Sequence, residues 1–230
     1  MHRVRALAKL TSSLRVTGVR DDGYHLLDAE MTTIDFADVL TFSEGDGFDV
    51  VGRDRASFDL VPRALAAVKR TAHVRLEKRI PVGAGLGGGS ADAAAVLRWA
   101  GCDDLLLAAS LGADVPFCLV GGRARVTGIG ETVEPLPFEA REFTLLIPPL
   151  SVDTSAVYRR WDELGGPTAD GANDLEPAAL AVEPGLAEWR DRLGDATGRT
   201  HQLAGSGSTW FVEGACPDVA GAVVTRTDRP

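Results

Sequence analysis

The sequence predicts an α+β protein. Short runs with period-2 apolar alternation recur along the chain, and runs with helical period lie among them. Asp-Gly and Gly-Gly turn signals stand where hairpins would reverse the chain. At 230 residues, 45% of them hydrophobic and 25% charged, the chain is long enough for one large or two small domains with a buried core.

"RVRALAKL" and "LRVTGV" read as two short strands, and "RDDGYH" as a turn centred on Asp-Gly. "TIDFADVLTF" alternates and reads as a strand. "LVPRALAAVK" reads as a helix with Pro62 in its first turn. "HVRLEKRI" alternates again, with Val74, Leu76 and Ile80 on one side and Arg75, Glu77 and Arg79 on the other. A glycine-rich stretch follows, then a helix from Ser90 to about Ala100 with Gly101 as its stop. "DDLLLAASLG" is a second helix ended by glycine.

"PFCLV" and "RARVTG" read as two strands of a hairpin turned at Gly121-Gly122. "FTLLIP" is a buried-looking strand, and a domain boundary falls just before it, near residues 139–142. "DTSAVYRRWDELG" has Val157, Trp161 and Leu164 on one helical face. "GGPTADGAND" is a loop, the segment most open to disorder. "PGLAEWRDRLG" is a helix, and "STWFVEG" and "AVVTRT" are strands.

Charge and composition exclude several functions. A net charge of −9 opposes sequence-independent binding of nucleic acid, so any anionic ligand must be held by local groups. No apolar run approaches the ~18 residues of a membrane span, and the N-terminal stretch lacks a signal peptide's apolar core. Cys102, Cys118 and Cys216 form no CxxC pair and cannot all pair with one another. A soluble cytoplasmic protein is expected.

The most informative stretch is "RIPVGAGLGGGSADAAAVL", where Gly83, Gly85, Gly87, Gly88 and Gly89 precede a helix. A helix N-terminus has backbone N–H groups without partners and a partial positive charge, and anions settle there. Glycines let the backbone ahead of it curl around a phosphate, and Ser90, at the N-cap, adds a hydroxyl. No lysine follows the glycines, so this is not a P-loop. Gly83, Gly85 and Gly88 fit the dinucleotide triplet with Asp103 downstream, but the strand ahead alternates where a central parallel strand would be apolar throughout.

This stretch resembles the second motif of the GHMP kinases, small-molecule kinases that rest ATP phosphates on such a loop. "AKL" with Lys9 is similar to their first motif, "DGYH" to a substrate-base segment, and "LGADVPFCLVGGRARVTGIGE" to the segment carrying their catalytic aspartate. "NDLEPA" and "GSGST" match the C-terminal half. The resemblance implies a two-domain GHMP kinase fold. Residues 1–140 would form an N-terminal ribosomal protein S5-like α/β domain with the phosphate loop, and residues 141–230 a C-terminal ferredoxin-like α+β domain.

Within that superfamily the resemblance points to the branch acting on the 2-hydroxyl of 4-diphosphocytidyl-2-C-methyl-D-erythritol, with ATP and Mg²⁺. It implies that Lys9 and Asp114 are catalytic. Pro81, Val82, Gly83, Ala84, Gly85, Leu86, Gly87, Gly88, Gly89 and Ser90 would hold the nucleotide phosphates. Thr11, Tyr24, His25, Gly205, Ser206 and Gly207 would hold the substrate, with Tyr24 and His25 on the cytosine. No metal ligand is assigned, and a monomer or homodimer is expected.

Taken alone, Lys9 would be a solvated strand residue and Asp114 a turn former. Asp92 reads as a complement to the helix dipole, and Asn173 and Asp174 as helix caps. Thr11 stands where the resembling proteins carry asparagine, and Phe58-Asp59-Leu60 where they carry an asparagine-leucine pair lining the adenine pocket. The chain is also shorter than they are. Two alternatives stay open: another GHMP small-molecule kinase, mevalonate-like or homoserine-like, or a nucleotide-binding module without catalysis.

Overall fold

The structure, a computed structural model, describes residues 1–52 and 59–230; Phe58 lies outside the described residues. Two β-sheets and seven helices account for the described chain. The first sheet is built on a long hairpin of β1 (His2–Val19) and β2 (His25–Ser43). The two short strands expected at the N-terminus are thus one. The polar run Thr11-Ser12-Ser13 interrupts the apolar pattern without ending the pairing, because register shifts at Leu7/Lys9, Thr11/Ser13 and Val16/Gly18 absorb the irregularity.

The other edge of β2 is shared. Residues Leu27–Thr32 pair with β5 (Arg123–Gly128), and Val39–Ser43 pair with β4 (His73–Glu77). A short parallel strand β3 (Gly47–Val50) extends the sheet beyond β4, and β6 (Thr132–Leu136) extends it beyond β5. The second sheet is antiparallel, in the order β10 (Ala222–Arg226), β7 (Glu142–Leu146), β9 (Trp210–Glu213), β8 (Gln202–Leu203).

Helix α1 (Val61–Ala67) has its proline at the start, as expected. Helix α2 (Gly88–Ala100) buries every side chain from Ala91 to Leu97 and packs on the first sheet. Such all-round burial needs small residues, which the alanine run supplies. Helix α3 (Leu105–Leu111) is capped by Asp104, whose carboxylate accepts from the Leu106 and Leu107 amides.

The expected strand "PFCLV" is instead helix α4 (Val115–Val120), and Gly121-Gly122 joins it to β5 rather than turning a hairpin. A short apolar run bounded by glycine fits a buried strand or a buried helix equally well; Pro116 in the first turn of α4 supplies the fixed φ that a helix start favours.

Helix α5 (Thr154–Glu163) stops one residue early, leaving Leu164 exposed rather than on the apolar face. Helix α6 (Glu176–Val182) fills part of the stretch after the expected loop, and α7 (Leu186–Thr197) follows it.

A cluster of fully buried apolar side chains joins the sheets. It includes Leu10 of β1, Ile34 of β2, Phe143 of β7 and Phe211 of β9, with Ala84 and Leu86 of the glycine loop. The loop is therefore seated on the seam between the sheets, and residues from both converge on it.

Candidate active site

The glycine loop is pinned from three directions. Its Leu86 carbonyl accepts from the Lys9 amide at 3.1 Å, its Ala84 carbonyl from the Thr209 amide at 3.1 Å, and its Gly83 carbonyl from the Val152 amide at 3.2 Å. Two glycines are required by contact as well as conformation. Gly85 has φ +76°, and a Cβ there would lie 2.1 Å from the Ala204 carbonyl oxygen. Gly87 has φ +66°, and a Cβ there would lie 2.7 Å from Lys9 Cγ.

Gly87, not Ser90, is the N-cap of α2; Ser90 is the third residue of the helix. The left-handed turn that only glycine makes easily places the cap three residues earlier than a serine-cap reading expects. The first helical bond ahead of the interior runs from the Ala91 amide to the Gly87 carbonyl, 2.9 Å. The amides of Gly88, Gly89 and Ser90 are thus the free donors of the helix start.

Beneath the loop lies an ionic network. Asp38 is wholly buried; one carboxylate oxygen accepts from the Arg79 and Ile80 amides at 2.5 and 2.8 Å, and the other from Lys78 Nζ at 2.5 Å. The same ammonium bonds Asp92 Oδ2 at 2.9 Å, while Asp92 Oδ1 is buried with no hydrogen-bond partner. Asp92 therefore does more than complement a dipole. Burial, with Asp38 nearby, outweighs the Lys78 ammonium and pushes its carboxyl up to about 8. Burial alone would lower Lys78, but its contacts with Asp92 and Asp38 more than offset it and raise it above its ordinary value.

Lys9, 6% exposed, is aimed by its strand at the same place. Its Nζ lies 3.5 Å from Asp114 Oδ2 and donates to Thr11 Oγ1 at 3.0 Å. Asp114 is the N-cap residue of α4 but makes no capping hydrogen bond, so its carboxylate is free to face Lys9. A Cβ on Gly205 would stand 3.3 Å from Lys9 Nζ, which places the second glycine turn against the ammonium. Asn173 holds that turn by donating to the Leu203 and Gly205 carbonyls, at 2.9 and 2.7 Å. It also accepts from the Leu175 amide; its neighbour Asp174 caps nothing and binds the Val16 and Ala169 amides and Arg15 instead.

One cavity of about 720 Å³ takes in these groups. Lys9, Asp114, every residue from Pro81 to Ser90, Gly205 and Ser206 line it, as do Tyr24 and His25. Thr11 and Gly207 stand behind the wall: Thr11 is buried against Lys9, and the Gly207 carbonyl backs Gly85.

In the wall of the same cavity, His25 stacks on Tyr158 with ring centroids 4.7 Å apart, meets Trp161 in a T-shaped contact at 5.6 Å, and bonds Asp162 through Nε2 at 2.8 Å. Burial pushes the Tyr158 phenol upward, so it stays protonated. These three α5 residues were absent from the expected site. Their signal was in the sequence: Tyr158, Trp161 and Asp162 stand at i, i+3 and i+4, one helical face bearing two aromatic rings and an acid.

Residues 59–122 match the model of the GHMP kinases N terminal domain. A 4-diphosphocytidyl-2-C-methyl-D-erythritol kinase from Ruegeria pomeroyi is 38% identical over 90% of this chain and 86% of its own length. The chain belongs to the GHMP kinases. A second relative of that name, from Paracoccus denitrificans, is also 38% identical, over 92% of this chain and 86% of its own. The crystal structure of a 4-(cytidine 5'-diphospho)-2C-methyl-D-erythritol kinase superposes with a TM-score of 0.81 at 33% identity, over 99% of this chain and 100% of that one. This GHMP kinase thus has the mixed α and β architecture of its solved relative. Among the described residues no helix is long and apolar enough to cross a membrane.

Proposed function

We propose that this GHMP kinase transfers the γ-phosphoryl group of ATP to the 2-hydroxyl of 4-diphosphocytidyl-2-C-methyl-D-erythritol, a step in making isoprenoid precursors by the non-mevalonate route in the cytoplasm. The observation that carries the reading is the Lys9–Asp114 pair at the head of the glycine loop, in one cavity with Tyr24 and His25. Residues 1–140 act as the nucleotide-holding domain and 141–230 as its partner.

The free amides of Gly88, Gly89 and Ser90 point helix-start positive charge at the triphosphate. Asp114 takes the proton of the attacking hydroxyl as its oxygen bonds to the γ-phosphorus and the bond to the β,γ-bridging oxygen breaks. ADP and a phosphomonoester leave. Lys9, shielded from water, holds Asp114 in place and offsets charge on the transferring group. Thr11 fixes the ammonium. Tyr24, His25 and Tyr158 receive the cytosine by stacking and hydrogen bonding, and Gly205 and Ser206 form the wall between.

Among the described residues no three metal-ligating acids, histidines or cysteines group together. Mg²⁺ keeps several waters and is carried largely by substrate phosphates, so it needs few ligands from the protein. Ser90, Asp92 and Asp114 are among the oxygen-bearing side chains lining the cavity, and the ion would neutralise phosphate charge.

The test is turnover with this acceptor beside mevalonate and homoserine. The expected result is transfer to the cytidine-bearing alcohol at least about 100-fold faster in kcat/KM. Equal or better turnover of either smaller alcohol would reassign the substrate; ATP binding with no transfer would leave only a nucleotide-binding module.

A further inference from the structure

Asp162 has no assigned part in the site, yet it makes the single hydrogen bond that the His25 ring has within the described residues. The contact is 2.8 Å, from Nε2 to Asp162 Oδ1. An ionised carboxylate only accepts, so Nε2 carries the proton. Tyr158 stacks on the ring and Trp161 meets it at right angles, which restrains its turning. In the neutral ring Nδ1 is then an acceptor. No described residue bonds it, and the ring lines the cavity.

We propose that Asp162 is a specificity-determining positioning residue: by holding the His25 proton on Nε2 it leaves Nδ1 as an acceptor that faces the 4-position of the base, so the site takes a base with a donor at that position, cytosine rather than uracil. The proposal rests on the reading that this end of the cavity receives a nucleobase. The two bases differ where it matters. Cytosine carries an amino group at the 4-position, whereas uracil carries a carbonyl oxygen there. An acceptor facing that oxygen leaves two lone pairs opposed and unbonded, and such a mismatch discriminates more strongly than a missing methylene does. Asp162 lines the same cavity, and the role assigned to it is exerted through His25.

The experiment needs no turnover, so its outcome is separate from that of the kinase assay. Affinities for CMP and UMP are measured calorimetrically on the full chain and on its Asp162→Leu and Asp162→Glu variants. Nitrogen-15 NMR of the free protein reports the His25 tautomer. The proposal expects an Nε2-protonated His25, CMP bound at least about tenfold tighter than UMP, that ratio lost in Asp162→Leu, and the ratio restored in Asp162→Glu. A merely structural role would weaken both nucleotides alike and leave the ratio standing. An Nδ1-protonated ring, or a CMP-to-UMP ratio unchanged in Asp162→Leu, would overturn it. If neither nucleotide bound the unaltered chain, the base-site reading itself would fall, and this proposal with it.

Discussion

Lys9 Nζ stands 3.5 Å from Asp114 Oδ2, a lysine from the first strand meeting an acid from the turn between two helices. The lysine is 6% exposed, while the acid keeps about a third of its side chain open to the cavity. That asymmetry suits the roles proposed for them: one group is fixed and shielded, and the other is accessible from the cavity.

Asp114→Asn keeps the shape and removes the proton acceptor. The expected result is a fall in kcat of about 10²–10⁴-fold with the melting temperature little changed, because the side chain makes no capping bond to lose. Steady-state kinetics and a thermal melt check it. Full activity in the variant would remove the proton role from Asp114.

The glycines separate structure from chemistry. Gly85→Ala drives a Cβ into a backbone carbonyl from a positive φ, and the expected loss is roughly 2–6 kcal/mol in a urea melt. Gly87→Ala presses instead on the Lys9 side chain. Its loss of kcat should exceed what its smaller loss of stability explains, measured on the folded fraction.

Asp92 gives a pH signature. Its ordinary value is 3.8, and in the fold it is pushed up to about 8, so between those values the native state holds a proton that the unfolded chain has lost. Its contribution is fully present below the lower value and is lost as pH rises through the upper one. Denaturant melts from pH 4 to pH 8 should show that fall in stability, and Asp92→Asn should flatten it. An unchanged slope in the variant would place the titration elsewhere.

Tyr158→Ala tests the aromatic end. Loss of the ring should raise KM for the cytidine-bearing acceptor about 10–100-fold and leave kcat within about threefold, since base stacking binds ground state and transition state alike. A fall in kcat with KM unchanged would place Tyr158 at the chemical step instead.

The glycine loop ahead of α2 was legible because its requirement is local: backbone that curls, free amides, a helix start. Alternating strands such as "HVRLEKRI" were legible for the same reason. The α4 helix was not, because five apolar residues beside two glycines satisfy either period, and only its packing decides. Lys9 and Asp114 read as bland residues in isolation; their pairing depends on bulges in β1 and on an α3–α4 turn that no window of sequence displays. The α5 partners of His25 are hidden for a related reason. The rings come from two halves of the chain, and the α5 pattern was read for its buried face alone. The Asp38–Lys78–Asp92 network likewise draws on β2, the residue after β4, and α2.

The most direct measurement is a crystal structure of the full chain with a β,γ-imido analogue of ATP, Mg²⁺ and the cytidine-diphosphate acceptor. The account places the terminal phosphate beside Lys9, the acceptor hydroxyl between it and Asp114, and the cytosine against His25 and Tyr158. A triphosphate bound away from residues 83–90, or an acceptor whose hydroxyl faces neither Lys9 nor Asp114, would contradict it.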